Sequence, residues 1–405
     1  MDMKQVEVVV VETELVAPSE ETPRQPLWLS NIDLAVPKMY TPLVYYYPAP
    51  AAMGSSSFAP GRLKVALAGA LVPFYPLAGR LGAGLDGRPQ IDCNGQGALF
   101  VVARATDLTG DDVFENYEPS PEVRRTFVPL AQPGDASSPM AMFQASRPHY
   151  LLSALLIRRT VTFLKCGGVV LGTAIYHTVM DGVGAFQFIR TWASLARGAA
   201  DACLLAELKS RCGGASTSTY CAVAAHLWRC VCAARGAASG SDTRLGLPAN
   251  IRHRLSPPLP PGFSGNAVVR NLITAPVGDV LHGPLGSVAD TIRKAVASVD
   301  DEFARSVVDY LELELGEKTG GGVSAAAPRE ELVPAWDLWP VSWLGMAMYD
   351  ADFGVGAPRF VAPAQMFVAG TAYVTPCADG DDGIAVLLAM EDEYMPCFEK
   401  VFYGE

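Results

Sequence analysis

The stretch GTAIYHTVMDGVGAF, residues 172–186, runs from an apolar segment through a histidine and an aspartate four positions apart into a glycine-broken run. Residues 169–176 read as a strand buried on both faces, and Phe186, Ile189 and Ala193 recur at helical spacing beyond Gly182. Where a strand turns into a helix, side chains are held by the scaffold yet reach a crevice, which is where α/β architectures expose reactive groups. His177 stands at that turn. An imidazole titrates near ~6.5, which suits it to taking and returning a proton near neutrality. Two readings of His177 therefore stand side by side: a general base in a crevice, or a side chain filling a core.

The same mixture continues along the chain. Segments 5–16, 42–49, 161–176, 266–277 and 383–391 are rich in β-branched and aromatic residues and bounded by Gly, Pro or charge, as strands are. Helical periodicity predicts helices over 61–72, 183–197, 219–234 and 285–315. Helices and strands interspersed throughout predict an α/β protein. With 405 residues the chain is long enough for two domains, each with its own core. Punctuation at 195–216 sets the expected division: one domain over 1–200, carrying HTVMDG, and one over 201–405, joined by a crossover.

Composition removes several function classes. Half of the residues are hydrophobic and 18% are charged, so disorder does not describe the chain. The net charge of -11 offers no broad attraction for a nucleic acid. No glycine-rich, lysine-ended phosphate loop is present, and no glycine trio stands at the first strand-to-helix turn. The nine cysteines are odd in number and lack zinc spacing, as expected of reduced thiols. The apolar run near the N-terminus is only four to five residues long, so neither a signal peptide nor a membrane span is expected there. A cytoplasmic protein without membrane or nucleic-acid partners is the expectation.

The other histidines, His149, His226, His253 and His282, lack the setting of His177; His226 lies in a helical pattern that is apolar on nearly every side. No serine or cysteine elbow precedes His177. Direct attack by a substrate nucleophile that His177 deprotonates is therefore preferred to a covalent intermediate. No second histidine or cysteine stands at ligand spacing from it, so no metal is expected.

Two motifs carry a resemblance. HTVMDG (177–182) and DFGVG (352–356) resemble the signatures of the plant BAHD acyltransferases, which use acyl-coenzyme A thioesters: His-x-x-x-Asp-Gly and a later Asp-Phe-Gly-Trp-Gly. The likeness keeps the family's order over nearly the whole chain, through TPRQPLWLSNIDLAVPKMYTPLVYYYP (22–48), LVPFYPLAGRL (71–81), YCAVAAHLWRC (220–230) and LPPGFSGN (259–266). It implies two chloramphenicol-acetyltransferase-like domains, with mixed β-sheets flanked by helices and an active-site channel between them. His177 would sit midway, with coenzyme A entering from one face and the acceptor from the other. The resemblance further implies acyl-coenzyme A as co-substrate, no permanently bound cofactor, and a small-molecule amine or alcohol acceptor. One chain contains the channel, so a monomer suffices.

Within the family the opening LWLSNIDLAVPKMYTP (27–42) looks most like the hydroxycinnamoyltransferase branch. Members that use shikimate carry an arginine shortly before the second signature, and Gly345 stands at its position here. Losing that bidentate cation leaves a buried carboxylate without its partner. Shikimate and quinate thus fall behind an amine acceptor, an aromatic amine or a polyamine, with an amide as product. O-acylation of an alcohol is the alternative, and a noncatalytic small-molecule binder is the alternative outside enzymes.

The resemblance also distributes roles. Asp181 is expected to be architectural, turned from the channel and paired with an arginine, for which Arg359 is the candidate. Gly182, Asp352, Phe353, Gly354 and Gly356 are expected to shape the surroundings of the site, and Val355 stands where the family has tryptophan. Arg252, His253 and Arg254 offer cations for coenzyme A, against the reading of a solvated turn; Lys209 and Arg211 are weaker candidates. The oxyanion donor is left open between a backbone N–H near Gly182 and a hydroxyl of residues 215–220. Tyr40, Thr217, Ser218, Gly345 and Val355 are the expected pocket residues. Tyrosines 40, 45, 46 and 47 either flank an aryl group or fill a core.

Overall fold

A computed structural model describes residues 8–49, 58–105, 108–115, 117–131, 137–147, 168–197, 218–317, 337–377 and 383–403. The expectations for Thr217, Lys209, Arg211, His149 and most of the 195–216 crossover lie outside the described residues. Ahead of the crossover come β1 (Val8–Val16), β2 (Leu27–Trp28), β3 (Tyr40–Tyr47), β4 (Arg80–Ala83), β5 (Pro89–Asp92), β6 (Ala98–Ala105), β7 (Ala141–Arg147) and β8 (Val169–Tyr176). After it come β9 (Asp242–Asn250), β10 (Val268–Pro276), β11 (Trp339–Ser342), β12 (Phe360–Pro363), β13 (Thr371–Pro376) and β14 (Ile384–Leu388).

The first lobe is built on a mixed sheet of order β1-β6-β7-β8-β3-β12, in which β6 and β7 run parallel and the other neighbours antiparallel. Every residue of β8 is buried, which is why its sequence, VVLGTAIY, is apolar on both faces. Gly172 is its one gap. A Cβ there would stand 1.8 Å from the carbonyl oxygen of Phe127, at the end of the helix Pro121–Phe127 that crosses the sheet. The helices Pro60–Ala70 and Gly182–Arg197 pack together, and Trp192 of the second donates its indole N–H to the carbonyl of Leu63 at 2.9 Å.

In the second lobe the ribbon β9–β10 is joined to the mixed sheet β11-β13-β14 by a parallel bridge between Leu245 and Leu338. The helix Thr219–Ala234 supplies Leu227, Trp228 and Val231 to a core that includes Leu245, Leu247, Ile292, Val374 and Phe398. Both lobes are thus mixed β-sheets flanked by helices.

The chain does not divide cleanly at residue 200. β12 pairs with β3, and Trp343, Met348, Ala351 and Phe353 are buried in the first core although they come from the second half. The cause is aromatic packing. Phe353 lies against Trp192 at 5.0 Å, Phe58 at 5.6 Å and Tyr47 at 6.1 Å between ring centroids. Among the described residues no helix is long and apolar enough to cross a membrane, and no His/Cys/Asp/Glu cluster could hold a metal.

Candidate active site

His177 follows β8 directly. Its backbone N–H donates to the carbonyl of Met39 at 2.9 Å, which extends the β3–β8 pairing by one residue beyond Tyr40 and Tyr176. The sheet therefore fixes where the imidazole starts. The second lobe clamps it from the other side: the Asn266 side-chain amide lies 3.0 Å from the His177 carbonyl, 3.2 Å from that of Thr178 and 2.9 Å from Oδ1 of Asp33. Asp33 also accepts the backbone N–H of Asn266 at 3.1 Å while it closes a capping box with Ser30.

The ring is half-buried. Its Nδ1 is sealed from solvent and has no hydrogen-bond partner among the described residues. Burial pulls the imidazole pKa below its ordinary value; a contact with its own backbone and the charge of Asp181 oppose this, Arg270 adds to the lowering, and Asn266 opposes it. The imidazole is therefore neutral at neutral pH.

Asp181 turns away into a separate network. Its Oδ2 accepts from Arg252 Nη1 at 2.8 Å and from the Ala267 N–H at 3.0 Å; its Oδ1 accepts from Arg252 Nη2 at 2.9 Å and from the Gly184 N–H at 3.2 Å. The pair is nearly dry, with side chains 5% and 8% exposed. Two expectations are corrected here. Arg359 is exposed and engages through its backbone N–H, which donates to Tyr46 at 2.8 Å beside the β12–β3 pairing, so it is not the partner of Asp181. Arg252 is that partner, and it is spent on the protein: Nε donates to Phe263 at 3.2 Å and Nη2 to Gly265 at 2.7 Å, both at backbone carbonyls. A guanidinium so enclosed has no fork left for a phosphate. Arg254 is also drawn inward, where Nη1 holds the carbonyls of Val296 and Val299 at 2.5 and 2.7 Å, in and just past the last turn of the helix Leu285–Ala297. His253 alone of the three is exposed.

The DFGVG turn is built on one carboxylate. Oδ1 of Asp352 accepts from the N–H groups of Gly354, Val355 and Gly356 at 2.7, 3.1 and 2.9 Å, and Oδ2 accepts from Arg197 at 3.0 Å. Burial works against the charge of Asp352, but the Gly354 amide, Arg197 and the Gly356 amide outweigh it and hold the carboxyl below its usual range. Gly354 and Gly356 have φ of 95° and 96°, in the region where a side chain is strained. Val355 is half-buried against the first core. Arg197 ends the 16-residue helix that starts at Gly182, which at ~1.5 Å per residue puts the turn some ~20 Å from the histidine loop.

The segment before that turn does reach the site. Around Gly182, a Cβ would find Trp343 Nε1 at 3.7 Å and Met346 Sδ at 3.8 Å. Between those two residues Gly345 is exposed, with φ of 75° and open space where a Cβ would be. The side chains on either side of Gly345, Trp343 and Met346, thus stand beside Gly182. Tyr40 is not part of this group: that side chain is 2% exposed, its hydroxyl donates to the Pro139 carbonyl at 2.7 Å, and its ring meets Tyr176 at 5.2 Å. Tyr45, Tyr46 and Tyr47 are buried too, so the core reading applies to all four. Ser218 is engaged as the N-cap of the helix Thr219–Ala234, accepting the Cys221 N–H at 3.3 Å. Asn266 and Arg270 were not singled out by sequence as site residues. The available signal was a single cation inside the otherwise uncharged strand segment NAVVRNLITAP, with an amide at its start.

Comparison with known proteins bears on the family and the fold. The profile of the Transferase family matches residues 6–211 and 202–404. Putrescine hydroxycinnamoyltransferase 1 of Oryza sativa subsp. japonica is 39% identical, over 98% of this chain and 99% of its own. Hydroxycinnamoyl-CoA:5-hydroxyanthranilate N-hydroxycinnamoyltransferase HHT4 of Avena sativa is 33% identical, over 97% of this chain and 99% of its own. The crystal structure of vinorine synthase aligns with a TM-score of 0.71 at 19% identity, covering 98% of each chain, which bears on the fold alone.

Proposed function

The chain belongs to the BAHD acyl-CoA-dependent acyltransferases, and on that premise we propose that it moves a hydroxycinnamoyl group from coenzyme A to an amine, with His177 as general base. One observation carries the reading of the base. At the end of a buried strand, where the two lobes meet, a half-buried imidazole has its Nδ1 sealed and its pKa lowered. That leaves Nε2 as the nitrogen to exchange a proton with a substrate.

The acceptor nitrogen attacks the thioester carbonyl while Nε2 removes its proton. The tetrahedral intermediate then collapses, the C–S bond breaks, and the imidazolium returns the proton to the departing thiolate. An amine that arrives as an ammonium must first lose its extra proton, to His177 or to solvent. A backbone N–H near Gly182 and a hydroxyl of residues 215–220 are the two candidate donors for the developing oxyanion; among the latter, Ser218 is occupied as a cap.

The amine acceptor is supported from two sides. Gly345 leaves no cation at the position that would grip shikimate, and its positive φ favours glycine locally. The rice relative is named for putrescine and the oat relative for N-acylation of 5-hydroxyanthranilate. For coenzyme A, His253 is the exposed cation candidate of its loop. The purified chain is to be incubated with coumaroyl-coenzyme A and separate panels of amines, alcohols and shikimate, following free thiol and acylated product. Amide formation is expected. Ester products alone would replace the amine reading with O-acylation, and no thiol release from any acceptor would leave a binding protein.

A further inference from the structure

Hydrogen bonds from both halves of the chain converge on residue 266. Asn266 stands just ahead of β10, and its side-chain amide nitrogen faces three acceptors: Oδ1 of Asp33 at 2.9 Å and the carbonyls of His177 and Thr178 at 3.0 and 3.2 Å. Its backbone N–H donates to the same Oδ1 at 3.1 Å. Three acceptors around one NH2 group fix which way the amide faces, because an oxygen in that place would meet three acceptors and no donor. Asp33 comes from the helix Asn31–Ala35, where its Oδ2 accepts from the backbone N–H and the hydroxyl of Ser30 at 2.9 and 2.6 Å. The carboxylate is 8% exposed, and its partners among the described residues are these donors of Ser30 and Asn266, with no cation. A buried carboxylate that depends on so few donors holds each of them in place.

His177 is thereby held at both of its peptide groups. Its N–H donates to the Met39 carbonyl at 2.9 Å, and its C=O accepts from Asn266 at 3.0 Å, so one side of its Cα is tied to the first half of the chain and the other side to the second. Peptide units are planar, so only φ and ψ lie between the two ties, and holding both units sets the direction in which the Cα–Cβ bond leaves the backbone. The residues that follow are tied from the same place: Asn266 holds the Thr178 carbonyl, and the neighbouring Ala267 N–H holds Asp181 at 3.0 Å. We propose that Asn266, fixed by Asp33, is a positioning residue of the acyl transfer, which aims the His177 imidazole through its backbone. The inference rests on His177 being the base. A base must lie within hydrogen-bond reach of the proton it takes, and a misplacement of about 1 Å costs on the order of 10²-fold in rate.

The test compares kcat, KM for coumaroyl-coenzyme A and thermal unfolding in wild type, Asn266→Ala, His177→Ala and the double variant, with rates referred to folded protein. Asn266→Ala is expected to lose about ten- to a hundredfold in kcat while KM stays within about threefold. In the His177→Ala background the same substitution is expected to change the residual rate by less than about twofold, because no imidazole is left to aim. An equal fold-loss in both backgrounds, or a loss that vanishes once rates are referred to folded protein, would overturn the proposal. Should Asn266→Ala fail to fold, Asp33→Asn takes its place. It keeps the shape of the side chain but sets an NH2 group against the donors of Ser30 or Asn266, and is expected to lose about three- to tenfold in kcat with the same dependence on His177. Full turnover in His177→Ala would instead overturn the assignment of the base, so the two failures are distinct.

Discussion

At the scale of single residues, two side chains four positions apart have opposite tasks. His177 is half-buried with its Nδ1 sealed, and Asp181 turns inward to four donors. His177→Ala should lower turnover by roughly 10²- to 10⁴-fold, as loss of a general base does, while the unfolding midpoint and donor affinity stay near wild type. Activity and thermal unfolding on the same preparation check this. Asp181→Ala should do the reverse: it leaves the Arg252 guanidinium buried and unmatched, at a cost of about 3 to 5 kcal/mol, so activity falls because folded protein is lost. Denaturant unfolding checks it, and an unchanged midpoint with abolished turnover would reassign Asp181 to chemistry. HTVMDG singled out the histidine as one of two readings, and the turned-away aspartate was expected only through the family resemblance. The partner was not legible, because Arg252 lies 71 positions away and the pairing depends on how the PPGFSGN loop folds back. Arg359, still farther along the chain, looks equally eligible from the sequence until it is seen exposed just ahead of β12.

At the scale of elements, period alone misled in one place. Residues 285–315 carry a continuous helical period, yet they form two helices, Leu285–Ala297 and Asp301–Glu317. Asp300 breaks the run by accepting the Phe303 N–H at 2.9 Å as a cap, a local bond that competes with helix continuation. β8 was legible because it is apolar throughout, whereas the short β11 and β12, four residues each, are defined by the strands they join and not by their own pattern. The DFGVG turn is defined by its carboxylate. Because the Asp352 pKa is lowered in the folded state, its contribution to stability is complete above the unfolded value near ~3.9 and is lost as pH falls through the folded value. Asp352→Asn should therefore be less stable than wild type at pH ~6, and the gap should close as pH falls below ~4. Paired unfolding curves across that range check it; a gap independent of pH would mean that Arg197 and the amides do not act through the charge.

At the scale of the whole molecule, the chain crosses between its lobes more than once, and each crossing serves the site. The second lobe sends Asn266 and Arg252 to clamp the histidine loop, and the segment 343–364 returns to complete the first lobe's core. Two independently folding halves would not need such exchanges. Phe353 makes the point testable: it comes from the second half, is fully buried in the first core, and touches Trp192, Phe58 and Tyr47. Phe353→Ala should cost about 3 to 5 kcal/mol through the cavity it opens. If the lobes are energetically one unit, the variant unfolds in a single transition at a lower midpoint, followed alike by signals from Trp192 in the first lobe and Trp228 in the second. Two separated transitions, with only the Trp192 signal moved, would show that the lobes unfold apart and that the returning segment merely decorates the first. The single transition is expected because the buried Asp181–Arg252 pair spans the same junction, so opening one lobe strands a charge in the other.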